Sequence, residues 1–206
     1  LPFLAATPAL NAWHMQAILR IGDEGRQRTV AARPEISTDA VSFIVRAGSA
    51  VAVTTVLRNK KAKLTPQDLH QIFARLGQSG DVVDELLSRA DLPLDIRITQ
   101  AKRAAVRMRQ MMAERGWMPA NDANDLVADA EENAVLQVLK QATLEERAYG
   151  TQFLAAQNML TPSLIVRAAC LGDMEIVAVA LGHLSGQTQE RVLGLMQMRC
   201  GAGIRS

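Results

Sequence analysis

Four stretches of the chain share one spacing of apolar residues, and that spacing narrows the fold more than any other feature. Counting from Leu160, positions five, eight and nine later are Ile165, Ala168 and Ala169, and Gly172 and Asp173 follow. Counting from Ile36, they are Val41, Ile44 and Val45, followed by Gly48 and Ser49. Leu10 leads to Met15, Ile18, Leu19, Gly22 and Asp23. Leu64 leads to Leu69, Ile72 and Phe73, with Gly77 one place late and Gly80 and Asp81 just beyond. The first three anchors lie 26 and 28 residues apart.

Each stretch reads as a helical hairpin. Apolar residues at those offsets fall on one face of a helix. Ser37, Thr65 and Thr161 follow their anchors and are suited to accept hydrogen bonds from the first free amides. Pro66 and Pro162 then stand at the first helical position, where a missing N–H costs little. The glycine is expected to end the helix in the left-handed conformation, and the Asp or Ser after it to cap the next. That second helix carries paired apolar residues: Val30 and Ala31, Val56 and Leu57, Leu86 and Leu87, Ala180 and Leu181. A two-helix unit cannot bury its apolar faces alone, so stacking is implied. The expected fold is all-α, an α-solenoid or superhelix of short HEAT-like hairpins with an inserted pair of longer helices.

The insertion shows where the pattern fails. Leu92 lies 28 residues after Leu64 and should open another unit, yet Arg97 and Gln100 stand at apolar offsets. A long helix is expected from Leu94 to Arg115, ended by Gly116, Trp117, Met118 and Pro119. A second runs from Asn121 to Gln141, and Thr143 with Glu146 forms a capping box for a helix to Asn158. Three segments follow: 1–93 with N-terminal repeats, 94–158 with longer charged helices, and 159–206 with a C-terminal repeat.

Charge separates within the middle segment. Residues 95–117 hold six basic and two acidic side chains, a net +4, whereas residues 121–150 hold two basic and seven acidic, a net −5. Complementary solvated helix faces are one reading, and a basic face presented to a partner is the other. Met108, Met111 and Met112 are expected in the core, although Met-rich surfaces suit adaptable binding.

Nothing in the sequence calls for chemistry. His14, His70 and His183 are scattered without metal-ligand spacing and read as surface histidines. No phosphate-cradling glycine motif appears, Gly201 and Gly203 lacking a preceding strand. The acidic residues read as a solvated face. We therefore expect no catalytic residue, cofactor or metal. Cys170 and Cys200 form no CxxC, and Cys170 reads as a small buried hydrophobe, which fits a reducing compartment and the cytoplasm. No apolar run approaches a membrane span. The overall net charge of +2 argues against a strongly basic nucleic-acid module. Locally, Arg58, Lys60, Lys61 and Lys63 make the densest basic patch, on a link between units, without interleaved aromatics.

Three runs point to a family. VAARPEI from Val30, LLSRADLP from Leu86 and LTPSLIVRAACLGD from Leu160 resemble the bacterial domain of unknown function 2336 family, found largely in alphaproteobacteria. VAVALGHLSG from Val177, followed by Glu190, Arg191 and Val192, is similar to its C-terminal part. The resemblance covers Leu19 to Gly203 and implies HEAT-like repeats and no known catalytic residues. The expected function is a non-enzymatic scaffold binding an unidentified protein partner in a bacterial regulatory pathway. The expected contact residues are Arg58, Lys60, Lys61, Lys63, Arg103, Arg107 and Arg109. The alternatives are a nucleic-acid-binding module using the same basic faces, and an enzyme whose site assembles only in the fold. Open solenoid ends also allow a homodimer.

Overall fold

The computed structural model describes residues 7, 12–21, 23–117 and 119–197. Among them are twelve helices and no strand. The anchor Leu10, the turn residue Gly22, Met118, Cys200, Gly201 and Gly203 lie outside the described residues. Contacts divide the chain into two compact units, Leu1–Ile96 and Arg97–Ser206.

The first unit contains α1 (Ala12–Ile21), α2 (Glu24–Ala31), α3 (Thr38–Ala47), α4 (Ala50–Arg58), α5 (Pro66–Leu76) and α6 (Gly80–Leu87). Two rows result. Helix α1 packs on α3 and α3 on α5, while α2 packs on α4 and α4 on α6. Consecutive helices α1 and α2, α3 and α4, and α5 and α6 also pack as hairpins. The expected offsets supply the core: Leu19, Val41, Ile44, Val45, Leu69 and Ile72 from one row, Val30, Ala31, Val56 and Leu86 from the other.

The helix starts follow the sequence closely. Asp23, Ser37 and Ser49 each accept from the amide three residues on. Thr65 and Asp68 form a full capping box with Pro66 in the first turn. Helix α6 departs from the expectation. It begins at Gly80 after Ser79, with no side-chain capping bond, so Asp81 lies inside the helix instead of capping it.

The helix ends correct the glycine reading. Gly48 has φ −69° and Gly77 φ −67°, so neither is left-handed. Gly172, at φ 77°, does adopt that conformation. What Gly48 provides is space. A Cβ there would lie 2.7 Å from the Ile44 carbonyl oxygen and 2.8 Å from Ile44 Cγ2.

Side chains from one hairpin close the helix ends of the preceding one. A helix leaves its last carbonyls without intrahelical partners. Arg75 on α5 donates to the carbonyls of Ile44, Val45 and Gly48, at 3.1, 3.1 and 2.7 Å. Asn59, after α4, donates to Ala31 and Arg33 at 3.1 and 2.8 Å. Arg89, after α6, donates to Leu57 at 3.1 Å. Arg33, at the corresponding place after α2, donates to Thr7 at 2.8 Å.

The second unit contains most of α7 (Leu94–Glu114), then α8 (Ala120–Lys140), α9 (Leu144–Ala156), α10 (Pro162–Cys170), α11 (Met174–Ser185) and α12 (Gln189–Gln197). Helices α7 and α8 each run 21 residues, the two long helices expected. Helix α8 packs on α9 and α10, while α11 packs on α9, α10 and α12. Thr143 and Glu146 form the expected capping box. Arg147 on α9 repeats the end-closing arrangement, donating to Leu139, Lys140 and Ala142 on one side and pairing with Glu175 on the other. No described helix is long and apolar enough to cross a membrane.

Several sequence expectations fail at the surface. Met108 and Met111 are exposed, not core, because they fall on the outward side of α7. Cys170 is exposed at the end of α10, not buried. Leu87 and Leu181, the second members of their apolar pairs, face outward, since adjacent residues on a helix point about 100° apart.

These glycine environments predict opposite effects of one substitution. Gly48→Ala should destabilise the protein by about 1–3 kcal/mol through overpacking. Gly194→Ala, at an exposed site within α12 where a Cβ would meet nothing within 4 Å, should stabilise it by roughly 0.5–1 kcal/mol. Urea unfolding of both variants checks the signs.

Candidate functional site

The seven cations singled out in the sequence occupy two units. In the first, Arg58 is exposed, but its Nη2 pairs with Glu85 Oε1 at 2.6 Å. Lys60, Lys61 and Lys63 are exposed on the turn between α4 and α5 and form no ion pair among the described residues. Asn59, through its two carbonyl contacts, ties that turn to the hairpin before it. In the second unit, Arg103 is partly buried and already engaged, Arg107 is exposed and Arg109 is half-buried. Arg107 and Arg109 have no ion pair among the described residues.

A cavity of about 230 Å³ opens in the second unit beside α8. Val135, Leu154 and Leu164, all buried, supply apolar lining. Lys102 from α7, Glu131 from α8, and Asn158 and Met159 from the link after α9 supply polar or polarisable groups. Lys102 Nζ lies 2.8 Å from Glu131 Oε1 and 2.8 Å from Met159 Sδ. Asn158 lines the cavity from a left-handed conformation, φ 55°. That conformation has a local cause. Asn158 N donates to Ala155 O and Met159 N to Leu154 O, a turn that closes α9 and favours Asn among non-glycine residues.

Glu132 stands in the wall of the same cavity but is fully engaged. Its Oε1 accepts from Thr161 Oγ1 at 2.9 Å, and its Oε2 accepts from Ser163 Oγ at 2.8 Å and Arg167 Nε at 3.2 Å. Arg167 also pairs with Asp129. Burial alone would push the Glu132 carboxyl up, but the Ser163 and Thr161 hydroxyls and the Arg167 guanidinium together hold it below its ordinary 4.5. The Thr161 hydroxyl also accepts from Leu164 N at 3.1 Å, so one oxygen caps α10 and ties it to α8.

This network was only half legible. Asp129, Glu132 and Asn133 share one helical face by spacing, as do Ser163 and Arg167. Reading the acidic stretch as solvated fails here, because Glu131 and Glu132 are partly buried and paired across helices.

His70 lies at the surface, as expected, yet it is bonded on both sides. Nδ1 is 2.7 Å from the Pro66 carbonyl oxygen and Nε2 is 2.7 Å from Asp95 Oδ2. Both neighbours are acceptors, so the doubly protonated ring, with an N–H on each nitrogen, is the form that satisfies both contacts. Burial pushes its pKa down, but the bonds to Asp95 and Pro66 and the Asp95 charge outweigh it and raise the value above 6.5.

The two groups predict opposite limbs of a stability profile. His70 stabilises fully below its unfolded value of about 6.5, and this contribution is lost as pH rises through its higher folded value. Glu132 stabilises above its unfolded value near 4.5, and this contribution is lost as pH falls through its lower folded value. In urea unfolding across pH, His70→Gln should flatten only the alkaline limb and Glu132→Gln only the acid limb.

The chain belongs to a bacterial family described as an uncharacterised protein conserved in bacteria (DUF2336), whose model matches residues 1–206. No curated protein and no solved structure matches it.

Proposed function

We propose that this chain is a non-enzymatic, HEAT-like helical-repeat scaffold that binds a protein partner in the bacterial cytoplasm. Each unit is read as a stack of hairpins in the manner of an α-solenoid. The alternating packing of α1, α3 and α5 against α2, α4 and α6 supports that reading. The observation that carries the binding role is the exposure of Met108, Met111 and Trp117 along and just after α7, with Arg107, which has no ion pair among the described residues, beside Met108 in sequence. Flexible thioethers and a large ring, rimmed by a cation, suit an adaptable protein contact.

A second reading rests on Lys60, Lys61 and Lys63. Three exposed lysines without ion pairs among the described residues, all on one turn, offer phosphate contacts, and the α7 residues Arg103, Arg107 and Arg109 form a separate basic stretch in the other unit.

A tagged capture from bacterial lysate, with and without nuclease and at low and high salt, separates the two. The scaffold reading expects a protein retained after nuclease and high salt, lost in the Met108→Glu/Met111→Glu double variant and kept in Lys60→Glu/Lys61→Glu/Lys63→Glu. The nucleic-acid reading expects the reverse: nuclease-sensitive recovery that falls steeply with salt and disappears with the lysines.

A further inference from the structure

The cavity beside α8 combines an apolar interior with one incompletely served ammonium and one carboxylate oxygen to spare. Lys102 has three N–H donors, and one of them points at a thioether, a weak acceptor. Glu131 gives one oxygen to Lys102, and its other oxygen has no partner among the described residues. The pair is neutral as a whole, so it does not select a charged ligand. It offers a strong donor beside a strong acceptor. The Asn158 side chain, exposed at the cavity, adds a further amide.

One common chemical group complements that arrangement. In an extended polypeptide, the N–H and C=O of a single residue point to the same side of the chain. The N–H can donate to Glu131 Oε2 while the C=O accepts from Lys102 in place of Met159. The residue's side chain then needs an apolar recess, and Val135, Leu154 and Leu164 line one. A volume of about 230 Å³ is below the range of about 300–1,000 Å³ typical of sites for drug-sized ligands, and matches one large residue. Glu132 does not compete for the ligand, since Thr161, Ser163 and Arg167 already occupy both its oxygens. We propose that this cavity binds one extended residue of a partner polypeptide, its backbone spanning Lys102 and Glu131 and its aliphatic side chain filling the recess. The inference rests on the reading of the chain as a protein-binding scaffold.

The test uses N-acetyl-leucinamide as probe, titrated into full-length protein carrying ¹³C-methyl methionine and followed by NMR. The Met159 methyl resonance should shift saturably, because the ligand carbonyl displaces its sulfur from Lys102. N-acetyl-glycinamide, which has the backbone without the side chain, should bind at least about tenfold more weakly, as expected when a whole aliphatic side chain loses its burial. Ala128→Trp fills the cavity from an exposed position on α8, where the fold tolerates bulk, and should abolish the shift. Lys102→Met keeps the apolar stem, removes the ammonium, and should weaken binding by roughly tenfold. A Met159 response that is absent, that grows linearly without saturation, or that persists in Ala128→Trp would overturn the proposal. Lysate capture by the wild-type chain tests the scaffold reading separately. Capture that survives Ala128→Trp would place the partner elsewhere on the scaffold and count against this cavity as its anchor.

Discussion

The helices of the first unit are short, and short helices do not stand alone. The six described helices that lie wholly within it span 8 to 11 residues, below the length at which an isolated helix is stable in water. Each has carbonyls at its C-terminal end that need donors. The protein meets that need from the neighbouring hairpin. Arg75 serves the end of α3, Asn59 the end of α2 and Arg89 the end of α4. Apolar burial draws the rows together without direction. The donated bonds to fixed carbonyls add direction and register. An arginine suits this task because its planar fork reaches several carbonyls at once, as Arg75 does with three and Arg147 does in the second unit.

The same logic resolves the charge separation in the middle of the chain. Read along the sequence, basic α7 and acidic α8 look like mutual partners. In space, α8 divides its acids between two helices: Glu131 pairs with Lys102 of α7, while Asp129 and Glu132 pair with Arg167 of α10. Helix α10 thereby takes two carboxylates that a simple α7–α8 pairing would have used. Arg107 and Arg109 are left without ion pairs among the described residues. Their positive charge lies on the same stretch of helix as the exposed Met108 and Met111.

Local rules carried the sequence reading a long way. Ser37, Thr65, Thr143 and Thr161 cap the helices they were expected to cap, because an N-cap bond reaches only three residues along the chain. Helical periodicity found Ile44, Ile72 and Ala168 in the core for the same reason. Periodicity gives a face, but not what lies opposite that face. Hence Met108, Met111 and Cys170, which periodicity puts on an inner face, stand outside. The left-handed turn assigned to Gly48 failed differently. Glycine answers both a need for positive φ and a need for space, and only coordinates tell which applies. The candidate cavity was invisible for a third reason: Lys102, Glu131 and Met159 lie far apart in sequence, and no motif links them.

The long-range pairing that hid the cavity also sets how it behaves. Glu132 bonds to the Thr161 hydroxyl that caps α10, and Met159 is two residues before that threonine. The link from Asn158 to Thr161 is therefore fixed at both ends, by the turn that closes α9 and by the Glu132 contact. Between those ends the Met159 thioether gives Lys102 its weakest contact, and it sits on an unbranched chain with three rotatable bonds. In the binding proposed above, a ligand oxygen would take the place of the sulfur through a rotamer change of Met159. The polar network of α8 and α10 thus orders the cavity wall, and the proposed site would need only the Met159 side chain to adjust.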